Sequence, residues 1–454
     1  MPKKKTALTI EERLQQALVP AEEQPYEVPE NWVWVRLGEV NKYISKSVNP
    51  ISEPDKIFEL YSVPSMVDNY PEIIAGSDIG SSKQSVCKKD VLLCKINPRI
   101  NRVWKVSQFT DNELIASSEW IIIRNNHINE NYLMYCFQSK YFREFMLSNV
   151  SGVGGSLMRA QPKYVQTYPI PLPPLSEQQR IVERIEELFA KLDEAKERLQ
   201  EVADSFAVRK AAILHKAFTG ELTKQWRREN GVSDESWEEK KGEDFFEYVT
   251  SGSRGWAKYY SDKGSIFVRM GNLNHGTIEL DFSDIQYVEL PDQVEGQRSK
   301  LQKNDILISI TADVGMIGLV REDMDAYINQ HVALARPKND LYAEFLAWYF
   351  VSDVGLQQMQ NKQRGATKIG LGLQDIRSII LKIPSLSEQH EIVRLIDDLL
   401  ARERAAQQAT EQALASIDLM KKSILARAFR GELGTNKASE ASALELLRQV
   451  LAEN

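Results

Sequence analysis

The residues able to do chemistry are scattered along the chain. Five histidines (His127, His215, His275, His331 and His390) lie far apart, and none shows metal-ligand spacing. Cys87, Cys94 and Cys136 cannot all pair and include no Cys-x-x-Cys unit, which reads as a reduced, cytoplasmic chain. There is no Gly-x-x-x-x-Gly-Lys-Ser/Thr phosphate loop. The cluster Gly152, Gly154 and Gly155 has no lysine within it and reads as a turn rather than a phosphate cradle. Pro173-Pro174 lacks the flanking Asn or Asp and the aromatic residue of an amino-methyltransferase loop. No Ser-His-Asp or Cys-His set can be placed. The expectation is a binder with no catalytic residue, no metal and no cofactor of its own.

The side chains suited to binding form two groups. The densest polar-basic stretch runs from Lys95 to Lys105 and includes Asn97, Arg99, Asn101 and Arg102, leaving an apolar strand at Val91–Cys94 and turning at Pro98. Ser82 and Lys83, beside Ser81 and Gln84, are weaker candidates. Later come Ser253 and Arg254 in a Gly-flanked loop, Arg269, Asn272 and Asn274 after a strand, Ser309 and Thr311 after another, and Arg364 and Lys368 around Gly365. Arg and Lys suit guanine and phosphate, and Asn suits adenine. The competing reading is turn chemistry, where Gly, Asn and Ser are common anyway. For Asn329-Gln330-His331, a hydrogen-bonded turn is favoured over base contact.

The elements that must hold these loops belong to a chain of 454 residues, 43% hydrophobic and 27% charged, with room for two to four domains. No apolar run approaches a membrane span, and Met1–Ala7 has charge without an apolar stretch behind it, unlike a secretory signal. Net charge is −7, divided as +2 over 28–165 and −7 over 234–381, so any nucleic-acid contact must rely on locally focused cations.

An internal repeat organises the chain. Residues 173–222 and 384–433 match at 20 of 50 positions at a fixed offset of 211. Pro173-Pro174-Leu175-Ser176-Glu177-Gln178 returns as Pro384-Ser385-Leu386-Ser387-Glu388-Gln389. Each copy runs without Gly or Pro for about 40 residues, a rod of roughly 60 Å. Ser176 and Ser387 are the expected N-caps, and Gly220 and Gly431 the expected stops. Apolar residues step by four and three: Ile185, Leu188, Leu192, Leu199, Val202, Phe206 and Ile213 in one copy, and Ile396, Leu399, Ile417, Met420 and Ile424 in the other. Arg209, Glu403 and Thr410 interrupt this seam. Two matched stripes favour mutual pairing of the rods; the alternative is that each is a core helix of its own domain.

The fold class is therefore α+β: two α/β domains with twisted β-sheets, joined by two long helices packed as an antiparallel coiled coil with a pseudo-twofold internal repeat. The expected division is an N-terminal helical segment (1–27), a first domain (28–172), a rod (173–223), a second domain (224–383), a second rod (384–434) and a C-terminal helical segment (435–454). Landmarks recur between the unlike domains: Lys89-Asp90-Val91-Leu92-Leu93 answers Asn304-Asp305-Ile306-Leu307-Ile308, a turn entering a buried strand.

With its Pro-x-Leu-x-Glu-Gln rod entries and two unlike α/β domains, the chain resembles the specificity (S) subunit of type I restriction–modification systems over nearly its whole length. The resemblance implies two target-recognition domains reading the halves of a bipartite double-stranded DNA site, with the rods as spacer. It also implies docking of two methyltransferase subunits that use S-adenosylmethionine on adenine, and of motor/nuclease subunits for restriction. Family members often carry a Lys-x-x-Pro-Arg stretch like the one here. A coiled-coil scaffold without DNA reading is the competing class, and a fused enzyme with an unrecognised active site is a third.

Overall fold

The computed structural model describes residues 8–151, 158–291, 297–339, 341–364 and 370–452. The chain divides into two compact units, Met1–Arg198 with Ala413–Asn454, and Leu199–Gln412. Both rods form as expected: Leu175–Phe218 is a helix of 44 residues and Leu386–Ala428 one of 43. Strong helix formers fill them, and neither holds a breaker. They start two residues earlier than those caps would place them. The Gln178 amide bonds Pro174 O and the Gln389 amide bonds Ser385 O, so Ser176 and Ser387 sit in the first turn and are not the caps. Each rod ends at a left-handed glycine, Gly220 (φ +81°) or Gly431 (φ +74°). Beyond it, Leu222 N–H returns to Lys216 O and Glu432 N–H to Arg427 O, satisfying last-turn carbonyls.

The two halves of each rod fall in different units, and within each unit a half of one rod runs against a half of the other. In the first unit Ile185 and Phe189 join Ile424 and Leu425 in one core, and Lys421 meets both the Asp193 carboxylate and the Phe189 ring. In the second, Ile213 and Leu214 share a core with Ile396 and Leu400. There the two breaks in the seam answer each other: Arg209 Nε donates to Glu403 at 2.9 Å and its guanidinium covers the Phe206 ring. Thr410 is buried and bonds back to Ala406 O at 2.9 Å. Ile185, Phe206, Ile396 and Ile417 are buried, while Leu188, Leu192, Leu199, Ile213, Leu399 and Ile424 are half-buried. Met420 and Val202 depart from the expected seam, at 48% and 42% exposure. The rod ends are also core helices: Ile181 and Val182 pack with Ala428 and Phe429 against the first domain, and Ala217 and Phe218 with Ile392 and Val393 against the second. Pairing and core packing, posed as alternatives, coexist.

The rod-entry motif has a physical reason. Glu177 is fully buried and accepts Trp32 Nε1 (2.7 Å) and Asn436 Nδ2 (2.9 Å), tying the C-terminal segment across the start of the first rod. Glu388, equally buried, accepts Thr223 Oγ1 and Arg227 Nη1, both at 2.7 Å, tying down the segment after the first rod. The glutamines clamp domain to rod. Gln178 donates to Pro173 O and accepts Asn129 N–H; Gln389 donates to Pro384 O and accepts Tyr342 N–H. Asn129 and Tyr342 are the N-caps of corresponding apolar helices, Glu130–Gln138 and Ala343–Val351. In the first unit the terminal helices Ile10–Ala17 and Ala443–Ala452 pack together.

Each domain hangs from its rod on a two-stranded ladder, Val33–Arg36 with Pro169–Leu172 in the first and Glu238–Lys241 with Ile380–Ile383 in the second. The first domain holds a three-stranded sheet ordered 103–105, 91–94, 120–123 and a five-stranded sheet ordered 47–48, 83–85, 113–116, 57–61, 72–75. The second holds two four-stranded sheets, ordered 246–251, 332–337, 306–309, 317–319 and 260–261, 287–288, 265–268, 326–328. The sheets are antiparallel except where 57–61 meets 113–116 and where 265–268 meets 326–328.

Candidate nucleic-acid interface

The landmark turns hold the strands that carry the candidate loops. Lys89 and Asn304 both adopt positive φ (78° and 74°), turning the chain into strands Val91–Cys94 and Ile306–Ser309. The next residue is a buried aspartate clasped by an arginine on, or just beyond, the adjacent strand: Asp90 by Arg124 (2.7 and 2.7 Å) and Asp305 by Arg336 (2.7 and 2.8 Å). The carboxylates also accept the N–H of Cys87 and of Gln302. Burial raises the Asp305 carboxyl, opposed by Arg336 and the Gln302 N–H. Nothing in the sequence patterns marked Arg124 or Arg336 as these partners.

Each strand then runs into a hairpin loop whose tip again turns through positive φ, at Asn97 (47°) and Ala312 (64°). In the first domain the loop 95–102 is fastened along its flanks. Lys95 N–H bonds Glu119 O, Ala160 N–H bonds Lys95 O, and Asn97 N–H bonds Met158 O. Asn101 Nδ2 donates to Gln138 O (2.8 Å) and Lys105 Nζ to Asn131 Oδ1 (2.7 Å), so both serve the fold. Arg143 donates to the carbonyl of Arg99, whose side chain is left exposed, while Lys95 and Arg102 are half-buried. Gln84 bonds Ser117 O and Trp120 O, bringing the strand of Lys83 to the same sheet end. Ser82 is exposed; Lys83 bonds Ser81 and burial lowers its ammonium. Arg159, opposite Ile96, pairs with Glu119 at 3.2 Å and was not anticipated.

In the second domain four candidate segments converge on one end of the 246–251/332–337/306–309/317–319 sheet. Gly252 N–H bonds Asn329 O, Ile310 N–H bonds His331 O, and Leu371 N–H bonds Ile310 O. Ser253 bridges Asn329, and Thr311 bridges Gly370. A hollow of about 870 Å³ opens here, lined among others by Arg254, Lys258, Arg298 and Gln330. Among the described residues, none of these three cations has a carboxylate partner. Sequence reading singled out Arg254 but missed Lys258 and Arg298, which stand in no recognisable motif.

Other candidates are committed internally. Ser309 is fully buried, donates to Asp313 O (2.6 Å) and accepts Met316 N–H (2.9 Å). Asn272 is buried and spends its amide on Asp281 O and Asp284 O. Both support their loops, their polar atoms being engaged within the fold. Arg269 pairs with Asp284 and Arg364 with Asp375, each at 2.9 Å. Asn274 is exposed opposite Ile317. Asn329 accepts His331 N–H, the hydrogen-bonded turn expected there. Lys368, Gly365, Gly152, Gly154 and Gly155 lie outside the described residues.

Among the described residues no group of His, Cys, Asp or Glu could hold a metal, and no helix is long and apolar enough to cross a membrane. Cys94 and Cys136 are buried, which raises both thiols.

Residues 29–204 and 234–414 match the family described as "Type I restriction modification DNA specificity domain". The chain is 31% identical over 306 residues to the type I restriction enzyme EcoBI specificity subunit of Escherichia coli, spanning 63% of this chain and 64% of that protein. It is 28% identical over 345 residues to the EcoKI specificity subunit of E. coli K12, spanning 72% of each. The HsdS subunit of Thermoanaerobacter tengcongensis shares the fold, with a TM-score of 0.66 at 22% identity over 90% of this chain and 99% of that one. A chain solved in work on assembly and conformational transition of a type I R-M system has a TM-score of 0.69 at 22% identity, over 90% of this chain and 100% of that one.

Proposed function

Because the chain belongs to the type I restriction–modification DNA specificity family, as a specificity subunit with two recognition domains, we propose that it reads a bipartite, asymmetric double-stranded DNA site, one half per domain, as a non-catalytic subunit in the cytoplasm. The paired rods set the distance between half-sites. Two methyltransferase subunits, which supply S-adenosylmethionine chemistry on adenine N6, and motor/nuclease subunits dock on it. The observation that carries the reading is the second domain's loop cluster, where three cations without a carboxylate partner among the described residues line one hollow with Gln330 in an otherwise acidic domain. Donors held on a rigid sheet end suit the acceptor-rich major-groove edge of guanine and the phosphates beside it. In the first domain Arg99, Lys95 and Arg102 take the corresponding part.

The test is adenine-methylation mapping of a genome after co-expression with the methyltransferase partner. A split motif is expected, and Arg254→Ala with Arg298→Ala should relax one half only, each good base contact being worth about 1–3 kcal/mol. Equal weakening on all sequences would recast both as phosphate contacts. A scaffold without DNA reading would leave the motif untouched by either change.

A further inference from the structure

The pseudo-twofold repeat makes one cleft in the second unit stand out. In the first unit Lys421 is paired with Asp193 and lies over Phe189. Applying the offset of 211 in both directions, Lys421 corresponds to Lys210 and Asp193 to Arg404. The lysine is kept and its carboxylate is replaced by a guanidinium. Lys210 and Arg404 line one cleft of about 320 Å³, together with Phe206, Gly276, Trp348 and Leu400. The Lys210 ammonium reaches the loop backbone, where a Cβ on Gly276 would lie 3.3 Å from Nζ. Among the described residues neither cation has an ion-pair or side-chain hydrogen-bond partner. Asp397 acts on Arg404 only at longer range, and Glu403 in the cleft wall is engaged by Arg209. Burial, and then Arg404, lower the Lys210 ammonium. Two like charges side by side in a partly dry cleft are unfavourable unless an anion joins them.

We propose that this cleft is a phosphate-accepting site, in which an external phosphate takes the place that the Asp193 carboxylate fills in the first unit. A Lys ammonium and an Arg guanidinium lining one cleft offer the several donors a tetrahedral oxyanion accepts. The cleft has room for one such group against its apolar floor. The occupant is either a free phosphate or a backbone phosphate of duplex DNA.

The test uses the full chain and inorganic phosphate against chloride at equal ionic strength. Wild-type protein is expected to gain about 2–4 °C in Tm at phosphate well above its Kd. Arg404→Asp, which rebuilds the first unit's pair, should abolish the gain while folding normally, and Lys210→Gln should do the same from the other side. An equal gain in the wild type and both variants, or no gain in the wild type, overturns the proposal. Binding of a random-sequence duplex identifies the source. If the occupant is a backbone phosphate, the salt slope falls by about 0.9 in Arg404→Gln. An unchanged slope with the phosphate gain lost assigns the site to free phosphate.

Discussion

The two units share a frame and differ in what the frame displays. Both enter the sheet through a left-handed turn, bury an aspartate under an arginine, and throw out a hairpin loop whose tip turns through positive φ. In the first unit the cations ride on that hairpin, at Lys95, Arg99 and Arg102. In the second the matching residues, Ile310 to Met316, carry no Lys or Arg, and the cations come from neighbouring segments, Arg254 on a loop and Lys258 and Arg298 on short 3-10 helices. The rods differ likewise. Leu192 and Met420 in the first unit are answered at the same offset by Glu403 and Arg209 in the second. A duplicated scaffold can thus keep its turns, caps and clasps while the side chains it displays change independently.

If the clasp is a shared frame element, breaking it should cost both units alike. Asp305→Ala and Asp90→Ala each leave an arginine without its carboxylate, and each is expected to lower stability by about 3 kcal/mol in urea unfolding. A loss well under 1 kcal/mol in one and not the other would show that the two turns are alike in shape only. The rod difference should be reversible. Glu403→Leu alone is expected to cost about 1 kcal/mol, since it strands Arg209, whereas Glu403→Leu with Arg209→Met copies the first unit and should recover most of the loss. Additive losses in the double variant would mean that the pair is not coupled.

The smallest effect is at the first rod's entry carboxylate, Glu177. Burial raises the Glu177 carboxyl, opposed by Trp32 and Asn436. The folded state therefore holds this proton more tightly than the unfolded chain. Its contribution to stability is present below the unfolded value near 4.5 and is lost as pH rises through the raised folded value. Relative to Glu177→Gln, whose amide oxygen still accepts the indole, the wild type should lose stability between pH 4 and 7. A wild type that gains stability relative to the variant over this range would reverse the assignment.

Much of the frame was legible because it is periodic or repeated. The uninterrupted runs from Leu175 and Leu386 gave the rods, and the matched turns at Asp90 and Asp305 gave corresponding strands. Side-chain commitments were less visible. Ser309, Asn272, Asn101 and Lys105 look like binding residues by type, yet their donors and acceptors are used within the fold, a fact set by partners 3 to 37 residues away. Arg298 was missed because it reaches the hollow from a short 3-10 helix, Gln297–Ser299, distant in sequence from Arg254. Glu403 and Arg209 looked like defects singly, since their pairing exists only across the two helices.

The most direct test of the proposal that two independent surfaces read DNA from one spacer is to exchange residues 28–165 for the corresponding domain of a relative and map adenine methylation with the proposed partner subunits present. One half of the split motif should change, while the other half and the spacing between them stay as they were. An unaltered motif, or a change in both halves at once, would contradict the account.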